Sequence, residues 1–176
     1  MRKVKISPSI LSSDFSILKQ EIKSVEPYCD FLHIDIMDGH FVPNITIGPA
    51  VVKSIRKITN LTFDVHLMIS EPEKFIEEFA NAGADYISVH AETEKPILKL
   101  IKKIKKYGKK PGVTLNPDTK IDKIIPYLRD LELVMVMSVF PGFSGQKFMP
   151  EVLDKVQTLV KARKIHRAKD MLIEID

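Results

Sequence analysis

The chain has 176 residues, 44% hydrophobic and 28% charged, which suits one soluble globular domain with enough apolar material to bury a core. Its single cysteine, Cys29, excludes an internal disulfide and, read as a small buried hydrophobe, fits a reducing compartment. With no secretory leader and no apolar run long enough to cross a bilayer, the expected setting is cytoplasmic, and much of the excess basic charge behind the formal +4 sits in one lysine-rich stretch.

Residues 4–10 read as an apolar strand with Pro8 near its end, and Ser13-Asp14 offers the cap of a helix running to about residue 26. A second strand is expected at 31–36, then a long loop, 39–48, then a helix at 49–58 opened by Pro49. The third strand covers 62–68. Ser70-Glu71-Pro72-Glu73 reads as a capped helix start and Ala82-Gly83 as its end. The fourth strand, 86–90, precedes residues 95–110, where eight lysines fall among Ile97, Leu98, Leu100, Ile101 and Ile104. This is the spacing of an amphipathic helix with a solvated lysine face. A nucleic-acid patch would bring arginine or aromatic interleaving, so no nucleic-acid partner is expected. A fifth strand at 112–115, a short helix around 121–128, a sixth strand at 133–139, a helix from Pro150 to about 164 and a seventh strand at 171–176 complete the chain.

Strands alternating with helices imply right-handed βαβ units and a parallel sheet. The expected fold class is α/β, a TIM (β/α)8-type barrel cut to about seven βα units and incomplete at its C-terminal side, in one domain over 1–176. The alternative is an open doubly wound sheet, but no Gly-x-Gly-x-x-Gly follows the first strand to support a dinucleotide site.

In such a barrel the functional residues sit where strands end. His33, Asp35 and Met37 alternate with isoleucines, so an imidazole and a carboxylate share one face of the second predicted strand. His66 and Met68 end the third, Met137 ends the sixth, and Glu174 and Asp176 share a face of the seventh. An isolated His66 reads as a satisfied core histidine; grouped with His33, Asp35 and Asp176 at strand ends it reads as a metal ligand. Imidazole with carboxylate oxygen suits one divalent ion such as Zn, Fe, Mn or Co rather than Ca. Met37, Met68 and Met137 serve either as core filler or as a hydrophobic cap over the ion. The loop from Phe140 to Gln146, between a strand and a helix, suggests backbone N–H groups cradling a phosphate. Asp64 is expected to be a structural hydrogen-bond partner, His90-Ala91-Glu92 a supporting layer or loop at the same mouth, and His40 and His166 exposed.

The stretches Ser7–Phe15, His33–Asn44, Asp64–Met68 and Pro141–Gln146 together resemble the ribulose-phosphate 3-epimerase family, and the match spans the chain. The resemblance implies a metal-dependent isomerase of carbohydrate metabolism, in the pentose phosphate pathway, interconverting D-ribulose 5-phosphate and D-xylulose 5-phosphate. It implies His33, Asp35, His66 and Asp176 as metal ligands and Asp35 and Asp176 as the acid/base pair. It further implies Ser9, His66, Gly142, Phe143, Ser144 and Gly145 as substrate contacts, with a phosphorylated ketopentose as small-molecule partner and a homo-oligomer as assembly. The chemistry agrees: a C–H beside a ketone is weakly acidic, so the enediolate left by its proton needs a Lewis acid, and two carboxylates on opposite faces invert the centre. In the family pattern a glycine pair follows the strand-seven aspartate and a Gly-Ser turn after strand eight completes the phosphate site, whereas this sequence stops at Asp176. The alternatives expected on that account are a catalytically incompetent barrel fragment and, from the shared residues, a hexulose-phosphate 3-epimerase.

Overall fold

A computed structural model describes residues 4–176. Six parallel strands, β1 (Phe31–Met37), β2 (Thr62–Met68), β3 (Tyr86–His90), β4 (Lys110–Leu115), β5 (Leu133–Val136) and β6 (Leu172–Ile175), pair strictly in chain order. Helices α1 (Leu18–Val25), α2 (Pro49–Arg56), α3 (Pro72–Ala82), α4 (Ile97–Lys106) and α5 (Val152–Ile165) alternate with them. Between β4 and β5 the expected short helix is two 3-10 segments, Ile121–Lys123 and Ile125–Asp130. An uninterrupted order with every pair parallel is the wall of a barrel; a doubly wound sheet would reverse its order at a switch point. The wall curls far enough that His33 of β1 and Asp176, just beyond β6, approach to 3.9 Å.

The alternation of each strand sorts the two faces of the wall. Ile34, Val65, Ile87, Val113 and Val134 point outward into one continuous core with Ile22 of α1, Val52 of α2, Ile76 of α3, Leu100 of α4 and Leu159 of α5. The residues between them point inward, and there the polar side chains lie. β3 and β4 carry Ser88 and Gly112 in register. A Cβ on Gly112 would lie 2.1 Å from Ser88 Oγ and 3.2 Å from Ser88 Cα, so glycine suits this close approach of the strands.

Several expected elements end elsewhere, each for a physical reason. Residues 4–10 form no regular strand but one isolated bridge, Ser9 with His33. The Ile6 carbonyl accepts from Phe31 N–H, the Pro8 carbonyl accepts from His33 N–H, and Ile10 N–H donates to the His33 carbonyl. Pro8 has no N–H for the rung between, so the ladder is broken where it begins. Six regular strands plus this segment therefore stand where seven were expected. β5 stops at Val136, leaving Met137 just past the strand end, where its N–H still donates to the Leu115 carbonyl. At the start of α3, Glu71 occupies the cap position without a side-chain bond, and Ser70 instead donates its N–H to Asp38 Oδ2 at 2.8 Å. Gly83 ends that helix in the left-handed region, φ 113°, as expected. Cys29 is half-buried rather than buried, and so is His166, which follows α5. On α4, Leu100, Ile101 and Ile104 are buried and the lysines face outward, Lys105 pairing with Asp130 at 3.1 Å. No helix among the described residues is long and apolar enough to cross a membrane.

Candidate active site

β1 and β2 run in register, with Asp35 beside His66 and Met37 beside Met68, so parallel pairing stacks the polar inward face of one strand against that of the next. His33 Nε2 and His66 Nδ1 each lie 3.2 Å from the same oxygen, Asp35 Oδ1. Asp176 Oδ2 stands 3.9 Å from His33 Nε2 and 4.0 Å from His66 Nδ1. One ligand atom from each of these four residues lies within 4.8 Å of all the others. His33, Asp35 and His66 are buried, while Asp176 is about one third exposed and faces the mouth. The backbone holds Asp176 through its N–H to the Val136 carbonyl and its carbonyl to Ser138 N–H.

The electrostatics of this group demand a positive charge at its centre. Asp64 Oδ2 accepts from His33 Nδ1 at 2.8 Å, so a neutral His33 would turn a lone pair toward the Asp35 carboxylate. Burial alone would depress the His33 imidazole, but Asp35 and Asp64 more than reverse this and hold it well above its ordinary value. Burial likewise would raise Asp35, yet His33 and His66 hold its carboxyl well below the usual carboxylate range. A proton satisfies this arrangement, and a divalent cation would satisfy it at the same place. Two imidazole nitrogens and two carboxylate oxygens form a donor set that Zn, Fe, Mn or Co accepts readily. A second cluster, His33, Asp64 and Glu174, shares His33 from the other side. There Glu174 is pushed up to about 9 by burial and by the neighbouring Asp64 charge.

Above the four donors lies a cavity of about 260 Å³ lined by Ser9, Asp35, Met37, Met68, Met137 and the segment 141–146. The three methionines are buried, Met37 and Met68 packing with Val42, Leu11 and Phe41. Ser9 donates its hydroxyl to Asp35 Oδ2 at 2.5 Å. The Phe140–Gln146 loop turns through Gly142 (φ 128°) and Gly145 (φ 73°), conformations that favour glycine. Gln146 closes it internally by donating to the Phe140 and Phe143 carbonyls. As expected the loop lies between a strand and a helix, with residues 147–151 intervening before α5, which opens at Val152 rather than at Pro150.

Sequence patterns alone did not identify the groups that hold this rim together. Asn44 donates to the Gly142 carbonyl at 2.7 Å and the Ser12 hydroxyl meets that of Ser144 at 2.7 Å, tying the glycine loop to two other loops. Thr46 bridges the Asp35 carbonyl and Met37 N–H, fixing the end of β1. His90 and Glu92, assigned only to the surroundings, sit directly behind His66, its Nε2 being 2.8 Å from His90 Nε2. The period-two appearance of Ser88 and His90 on a buried strand was the available signal. His40 is exposed.

Residues 5–176 match the model of the ribulose-phosphate 3 epimerase family. The chain is 51% identical to a ribulose-phosphate 3-epimerase of Bacillus subtilis, over 98% of this chain and 80% of that protein. It is also 51% identical to one of Synechocystis, over 99% of this chain and 77% of that protein. Among solved structures, a mutant tryptophan synthase α-subunit from Pyrococcus furiosus superposes with a TM-score of 0.65 at 10% identity, over 97% of this chain and 86% of that one, a likeness of fold alone.

Proposed function

The chain belongs to the ribulose-phosphate 3-epimerase family, and from that premise we propose that it is an epimerase interconverting D-ribulose 5-phosphate and D-xylulose 5-phosphate with one divalent cation, in the cytoplasm. The observation that carries the reading is the convergence of His33, Asp35, His66 and Asp176, two carboxylates and two imidazoles, beneath one small cavity. These four residues would hold the cation, which when bound supplies Lewis-acid stabilisation to the oxygens of the substrate.

The proton chemistry belongs to the chain. Asp35 and Asp176 come from opposite edges of the curled wall, so a sugar lying between them meets a carboxylate on each face. One removes the C3 proton and the other returns a proton from the opposite side, which inverts the centre. Ser9, hydrogen-bonded to Asp35 Oδ2, orients that carboxylate toward the sugar. Met37, Met68 and Met137 line the cavity with polarisable apolar surface that keeps water from the intermediate. The segment Gly142 to Gly145 offers backbone N–H groups to the phosphate, and Ser9 lies at the sugar end, with His66 buried beneath the cavity. The relatives' names favour a pentulose phosphate over the hexulose alternative.

Turnover of ribulose 5-phosphate, measured before and after chelation and after readdition of Zn, Fe, Mn or Co, tests this reading. Activity should vanish with the metal and return with it, and Asp35→Asn should lose at least about a hundredfold in kcat. Full activity in the stripped protein, or in the Asp35→Asn variant, overturns it.

A further inference from the structure

Behind the proposed ligand His66 a line of hydrogen bonds runs outward through groups for which the mechanism above has no task. His66 Nε2 lies 2.8 Å from His90 Nε2, and the two rings are inclined by only 22° with centroids 4.9 Å apart, so they meet edge to edge. His90 Nδ1 lies 3.0 Å from Glu92 Oε2, and the other oxygen, Glu92 Oε1, accepts the Asn116 N–H at 3.0 Å. His66 and His90 are buried, on β2 and β3 respectively.

The line can be read from its outer end inward. A carboxylate only accepts, so Glu92 requires the proton of His90 on Nδ1. A neutral His90 then carries a lone pair on Nε2, and the 2.8 Å contact requires His66 to donate from its own Nε2. A neutral His66 with its proton on Nε2 turns the Nδ1 lone pair toward Asp35 and Asp176. Without Glu92 the opposite arrangement is equally allowed, with His90 donating to His66 and the His66 proton on Nδ1, blocking the cation. His33 is oriented by a carboxylate directly, through Asp64, whereas His66 receives the same instruction through an intervening imidazole.

We propose that His90 and Glu92 are positioning residues that set the tautomer of His66, so that its Nδ1 lone pair faces the cation site. The inference rests on the metal-dependent reading of the site. It is a claim about where protons sit in this chain, so it can be read without turnover. Histidine long-range 1H–15N NMR on the metal-free and zinc-loaded wild type should show His90 as the Nδ1–H tautomer in both and His66 carrying its proton on Nε2 in the loaded protein. A His90 protonated on Nε2 overturns the proposal, and this measurement stands even where a variant does not fold.

Cobalt titration followed by visible absorption supplies the second readout. His90→Leu should bind Co²⁺ about 10- to 100-fold more weakly than wild type, the loss typical of removing a partner behind a metal-bound histidine. His90→Gln, whose amide oxygen can accept from His66, should recover most of that loss, which a merely structural role for the ring would not produce. A folded His90→Leu that binds Co²⁺ as tightly as wild type overturns this inference alone. A wild type that binds no Co²⁺ overturns the metal-dependent reading and the inference with it.

Discussion

At the scale of single residues, the buried charges are held by their neighbours rather than by solvent. Asp64 has no access to water and serves His33 Nδ1 at 2.8 Å. Asp64→Leu leaves a buried N–H donor without an acceptor, a defect worth about 1–3 kcal/mol. The loss should appear in the denaturant midpoint, with Asp64→Asn, which retains an acceptor, losing clearly less; equal losses would show that packing, not the hydrogen bond, decides. Asp38 gives a pH test away from the catalytic centre. Burial would raise its carboxyl, but N–H groups of Ser70, Phe41 and His40 bring it down to about 2, below its ordinary 3.8. The unfolded chain therefore binds this proton more tightly than the folded one, so the carboxylate's contribution is full above about pH 4 and is lost as pH falls through about 2. The Tm advantage of wild type over Asp38→Asn should shrink across that interval and stay constant above it.

At the scale of elements, the closest constraint is the contact of β3 with β4. Since a Cβ at Gly112 would meet Ser88 Oγ at 2.1 Å and Ser88 Cα at 3.2 Å, Gly112→Ala turns the serine hydroxyl away and presses on the paired strand. Overpacking of that kind costs about 1–3 kcal/mol. The double variant Gly112→Ala with Ser88→Gly, measured by urea unfolding, should regain part of it, and no regain would place the strain elsewhere. That contact was invisible in the sequence, because register between strands is set by the whole wall. What was legible is equally specific. Alternating apolar and polar residues located β2 and β3 to the residue and β1 to within one, since burial on the outer face leaves a periodic mark. The first segment misled because its apolar composition outweighed the single missing donor of Pro8. His33, Asp35 and His66 were legible as polar residues on buried strands. Asn44 and Ser12 were not, because loop residues carry no periodicity to betray a partner about a hundred positions away, and Thr46 was not, because nothing periodic in a loop marks its return to the end of β1.

At the scale of the whole molecule, the proposed ligands join the two ends of the wall. β6 is half-buried to exposed along its length, whereas β1 is buried throughout, so β6 has fewer buried contacts to hold it than β1. Asp176 follows β6, and His33 and Asp35 stand on β1 at the other end of the strand order. A cation held by all four residues therefore couples the most exposed of the described strands to a fully buried one without any new backbone hydrogen bond. Binding to the folded state alone should stabilise it by about 2.7 kcal/mol at a free concentration of a hundred times Kd. The gain should be uneven. Hydrogen exchange in the metal-free protein should be fastest at Leu172–Ile175 among the six strands, and adding Zn²⁺ should slow exchange there more than in β3 or β4, which supply no ligand. Replacing Asp176 by Asn should remove most of that selective protection while leaving exchange in β3 unchanged, because only the link between the edges is cut. Uniform slowing across all six strands would mean that the cation stabilises the fold globally and does not act selectively on β6.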